Sequence, residues 1–144
     1  MDVELTEDEL LRALAALEAV VRDDDAALAA LAGGAGERAL PLLLAAYGRK
    51  VLIRILATLF GVDPAMGREE TSQLVAEINA DPMARMVIVL TGALHNQAAP
   101  AGDDPAVAKQ IGGSILMALH AFTDADHQEA MIMLRALRSE VLHS

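Results

Sequence analysis

Four histidines, His95, His120, His127 and His143, are the side chains of this 144-residue chain whose ordinary pKa lies near neutrality, so acid/base work or metal ligation would begin with them. His120, Asp124 and His127 stand four and three residues apart, which on one continuous helix lines up nitrogen and oxygen ligands on a single face. Thr123-Asp124, however, reads as the cap of a new helix, and a break there turns the two imidazoles apart. No metal or other cofactor is therefore expected. Zero cysteines remove thiolate nucleophiles, disulfides, zinc ribbons and iron–sulfur ligation. No HExxH or Gly-x-Ser-x-Gly pattern occurs. Gly33-Gly34-x-Gly36 lacks the preceding strand and the following Lys-Ser/Thr of a phosphate loop.

Three further groups of residues could bind rather than react. His95 closes a helix that begins at Pro82, where an imidazole can bond the last carbonyls; with Tyr47 and Thr91 it could also stand at the mouth of a pocket for an apolar small molecule. Arg49, Lys50 and Arg54 could receive an anion, but the acids close by in sequence make pairing with the N-terminal helix the expected outcome. Gly112-Gly113 in mid-helix costs about 2 kcal/mol relative to alanine, which the close approach of another backbone would offset, from this chain or from a second subunit.

The elements that would hold these residues are helices throughout, since Ala, Leu, Glu, Arg and Met dominate and no stretch alternates with period two. Thr6 with Glu9 makes a capping box ahead of the seam Leu10, Leu14, Leu17, Val21. Asp23 to Asp25 interrupt that seam and cap a short second helix. Leu40-Pro41 opens an apolar run to Phe60, and Asp63-Pro64, Asp81-Pro82 and Asp104-Pro105 each predict a helix start, with Asp as N-cap and Pro at the first position. Thr123 or Asp124 is expected to cap the last helix. Leu40–Phe60 and Met83–Leu94 are apolar nearly all round and should be the central pair. The expectation is an all-α, single-domain bundle of six or seven helices over residues 1–144.

Charge and hydropathy limit the partners. At a formal −10, with 21 acids against 11 bases, the chain repels phosphate backbones, so nucleic-acid binding is not expected. Residues 1–37 carry ten acids and two bases, whereas residues 38–62 carry four bases and no acid. Leu40–Val62, the best candidate for a membrane span, is broken by Arg49, Lys50 and Arg54, and the acidic N-terminus is unlike an export signal, so a cytoplasmic location and no membrane contact are expected.

Seven methionines against three aromatics suit adaptable apolar surfaces. In the last helix Ala130, Met133, Leu134, Leu137 and Val141 share the inward face, leaving Met131, Ile132 and Leu142 on its flanks. The expected function is a non-catalytic interaction or regulatory module, a homodimer through the Pro105 helix and the last helix. Its seam would hold Gly112, Gly113, Leu116, Met131, Ile132 and Leu142, and its acidic surface would suit a basic partner. The rival expectation is a small-molecule-binding protein or small enzyme built on Tyr47, Thr91 and His95.

Overall fold

Helix starts in this chain are written mostly by oxygen-bearing side chains that accept the orphan amides of a first turn. In the computed structural model, which describes residues 4–32, 36–63, 65–123 and 126–143, Thr6 accepts from the Glu9 amide while the Glu9 carboxylate accepts from the Thr6 amide, and α1 (Glu7–Val21) follows. Asp24 caps α2 (Asp25–Ala30) in the same way. Next come α3 (Leu40–Leu59), α4 (Arg68–Ala80), α5 (Pro82–Ala98), a 3-10 turn at Ala99–Ala101, α6 (Pro105–Thr123) and α7 (His127–Leu142). The described residues thus form an all-helical bundle of seven helices. None of these helices is long and apolar enough to cross a membrane.

Two of the three Asp-Pro pairs begin helices. Asp81 accepts from the Ala84 amide at the start of α5, and Asp104 accepts from the Ala106 amide at the start of α6. Asp63 does not begin one. Its carboxylate accepts from the Ala65 amide and its carbonyl from the Met66 amide in an isolated turn, and α4 starts only after Gly67; Pro64 itself lies outside the described residues. α7 is capped by Asp126, which accepts from the Glu129 amide, rather than by Thr123 or Asp124. Thr123 ends α6, and Asp124 is not among the described residues.

α3 is the axis of the bundle. It packs along α6 and α5 and also touches α1, and its Leu40, Leu43, Leu44, Leu52 and Leu56 are buried together with Leu14 and Leu17 of α1 and Ile111 and Ile115 of α6. These side chains belong to one apolar cluster. The approach of α6 depends on glycine at two positions. A Cβ on Gly48 would lie 2.5 Å from Ile115 Cδ1, and one on Gly112 would lie 3.0 Å from Val20 Cγ2. The compensation for Gly112 is therefore a contact with α1 of the same chain, and Gly112 leaves the expected dimer seam. A Cβ on Gly113 would meet nothing within 4 Å.

α5 joins the core along one face only. Ala84, Val87, Thr91, Leu94 and Ala98 are buried, whereas Met83, Met86 and Val89 are 64%, 71% and 70% exposed. The apolarity that suggested a central position instead leaves α5 with a second apolar face turned outward. α4 packs on α5 and has no buried residue.

Polar side chains hold the outer elements. Arg12 donates from Nε to the Leu31 carbonyl (2.7 Å) and from Nη1 to the Arg38 carbonyl (2.6 Å). Asp103 accepts from the Leu40 amide at 2.8 Å and so serves the first turn of α3, whose own N-cap, Ala39, has no side chain to offer. Lys109 of α6 lies 2.7 Å from Asp23 and 2.9 Å from Asp25, pinning the turn in which Asp23 takes a left-handed φ of 55°. Glu18 of α1, nearly buried, pairs with Arg138 of α7 at 3.0 Å.

Candidate functional site

α3 presents different rows of side chains to two clefts because successive positions on a helix point about 100° apart. Ala46, Arg49, Ile53 and Ala57 form the row toward α5, and Tyr47, Val51, Arg54 and Thr58 form the row toward α7.

The α3–α5 cleft has a volume of about 770 Å³. Ile53 and Ala57 face Thr91, Gly92 and His95 across it, with Arg49 and Lys50 at the rim and Glu4 reaching in from the segment before α1. Thr91 is buried, and its hydroxyl donates to the Ile88 carbonyl at 2.7 Å, so its donor is already used within α5. His95 is exposed in the last turn of α5. The structure brings Thr91 and His95 together but sends Tyr47 into the other cleft, so the expected trio does not converge on one pocket. One residue step along α3 makes the difference.

The α3–α7 cleft, about 610 Å³, exists because α7 packs along α1 and leans away from α3. Leu10 and Tyr47 lie at its base, Val51 and Ile55 form one wall, and Leu137 and Val141 form the other. Arg54 and Glu140 meet across its mouth at 3.0 Å, and Lys50 and Arg54 each line both clefts. Tyr47 is 4% exposed, and its hydroxyl makes no hydrogen bond among the described residues. Burial pushes the phenol up to about 12, against a smaller lowering by the Arg54 charge, so the group is a neutral O–H donor at physiological pH.

Two members of the basic run of α3, Lys50 and Arg54, do not pair with the N-terminal helix among the described residues. Arg38, just before the helix, does meet Glu9 of α1 at 2.9 Å, but Arg54 pairs with Glu140 of α7, and Lys50 has no ion pair among the described residues. The inward face of α7 is as the spacing implies, with Leu134 buried and Leu137 and Val141 packed on the core. Ile132 and Leu142 are exposed, Met131 and Gly113 are half-buried, and Leu116 packs partly against the core. His120 is exposed in the last turn of α6, and the His127 side chain is not among those described. No group of three or more His, Asp or Glu among the described residues could hold a metal ion.

Sequence reasoning passed over the outward face of α5. Pro82, Met86, Val89 and Ala93 follow at i, i+4, i+7 and i+11 and line a shallow apolar depression. The available signal was a second apolar stripe on a helix already supplied with one. In comparisons with known protein families, characterised proteins and solved structures, nothing matches this chain.

Proposed function

We propose that this chain is a non-catalytic interaction module that associates with a second copy of itself through the outward face of α5. The observation that carries the reading is the exposure of Met83, Met86 and Val89 on one helix. Contiguous apolar surface of this kind marks association sites, and methionine adapts to an apposed surface. Charge supports a second copy as the occupant. Two chains at −10 repel one another over most of their surfaces, but residues 82–102 contain no Asp or Glu. A seam placed there keeps the like charges apart, and Arg85 beside the stripe adds a positive charge to it. The acids of α1 and α2 stay outside the seam, available to a basic partner.

Sedimentation equilibrium over a range of concentrations tests this. The native chain should be a dimer, and Met86→Glu with Val89→Glu should make it a monomer with unchanged helicity and the melting temperature of the native chain diluted to monomer. A native chain that is monomeric at every concentration contradicts the reading. A dimer that survives the α5 substitutions but splits with Ile132→Asp or Leu142→Asp moves the seam to α7.

A further inference from the structure

The α3–α7 cleft has features that self-association through α5 leaves unused. Its base and walls, Leu10, Val51, Ile55, Leu137 and Val141, are aliphatic, and its volume of about 610 Å³ is in the range of small-molecule sites. The Tyr47 side chain is nearly buried at the base of the cleft, and its hydroxyl makes no hydrogen bond among the described residues. An oxygen atom brought in by a ligand would supply the missing acceptor. At the mouth stand Lys50, Arg54 and Glu140, two positive charges and one negative in a chain whose total is −10. The local excess of positive charge favours an anionic head at that mouth.

We infer that the cleft between α3 and α7 binds a single-chain anionic amphiphile of the fatty-carboxylate class, its tail between Val51, Ile55, Leu137 and Val141 and its carboxylate accepting from Arg54 and the Tyr47 hydroxyl, with Lys50 beside it. The carboxylate replaces Glu140 as the partner of Arg54. That exchange costs little, because Arg54 and Glu140 are both more than half exposed and exposed pairs are weak. The net drive is burial of the tail. Glu140, once released, turns to solvent.

Tyr47 is the single tyrosine and the chain has no tryptophan, so its fluorescence reports this cleft alone. Delipidated protein would be titrated with sodium decanoate below its micelle concentration, and in parallel with decanol and decyltrimethylammonium. Decanoate should change the Tyr47 emission saturably, and the cationic probe should bind at least about tenfold more weakly, the scale of one charge-assisted hydrogen bond. By calorimetry, Arg54→Gln and Tyr47→Phe should each weaken decanoate by about three- to tenfold. Arg54 is exposed, so its substitution leaves the fold intact even if that of Tyr47 does not. No saturable change, equal affinity for all three heads, or undiminished binding by Arg54→Gln would overturn the inference. The titration repeated on the Met86→Glu, Val89→Glu variant should be unchanged, because the cleft and the α5 face share no residue.

Discussion

The α1, α3 and α6 helices and the α4–α5 hairpin meet opposite fates, although α5 carries as many apolar residues as α1. In the first group, leucine and isoleucine side chains interlock to complete burial, and glycines at 48 and 112 bring the helices together. In the second, α4 buries nothing fully, α5 buries one face, and methionine and valine stand in solvent. Composition alone therefore does not decide burial. α5 contacts α3, α4 and α6, but α4 contributes no buried side chain, and the outward apolar face of α5 stays uncovered.

The sharpest way to break this comparison is to truncate one residue on each side of it. Leu44→Ala, at a fully buried position of α3, should cost about 2–5 kcal/mol in urea unfolding. Met86→Ala on α5 should stay within about 0.5 kcal/mol of the native protein at concentrations where the chain is monomeric. Equal losses would mean that the two regions are not energetically distinct.

Glycine gives a finer contrast of opposite sign. Gly48→Ala drives a methyl group into Ile115 and should destabilise by about 1–3 kcal/mol. Gly113→Ala meets open space and should stabilise by about 0.5–1 kcal/mol through helix propensity.

pH separates the regions next. The Tyr47 phenol is raised above its unfolded value of about 10, so the folded state holds the proton more tightly. Stability from this group is complete below pH 10 and is lost as pH rises toward about 12. Tyr47→Phe should remove that alkaline segment from a plot of stability against pH, and absorbance of the single tyrosinate should follow the midpoint directly. Lys109, held above its usual range by Asp23 and Asp25, titrates in the same direction at higher pH.

The smallest effect is at acid pH. Lys109 holds Asp23 below its ordinary value, so the pair contributes above about pH 4 and is lost as pH falls through the folded-state value. Asp23 is exposed and Lys109 partly so, and the difference between the native chain and Lys109→Met should fade in added salt.

How much of this was legible in the sequence depended on the distance between cause and effect. The Thr6–Glu9 box and the starts at Asp81-Pro82 and Asp104-Pro105 were readable because donor and acceptor lie within a few residues. Asp63 stands in the same dipeptide, but α4 begins only after Gly67. Gly112 announced a close approach but not its partner, which is set by how α1 and α6 cross. Gly48 announced nothing, being one small residue in an apolar run.

The site was less legible than the fold. Tyr47, Thr91 and His95 were rightly placed on the helices that line clefts, but their separation turns on the rotation of α3 between its neighbours. The pairing of Arg54 with Glu140 spans 86 positions in the chain and depends on α7 following α1 rather than α3. No local pattern encodes that choice.

The central claim is that α5 is completed by a second copy, and amide hydrogen exchange followed by mass spectrometry at low and high protein concentration tests it directly. Amides of α5 and α4 should exchange faster than those of α3 when dilute and become markedly slower as concentration rises, while α1, α3 and α6 stay unchanged. If α5 is as protected as α3 in dilute solution and indifferent to concentration, its outward face is not an interface and the account is wrong.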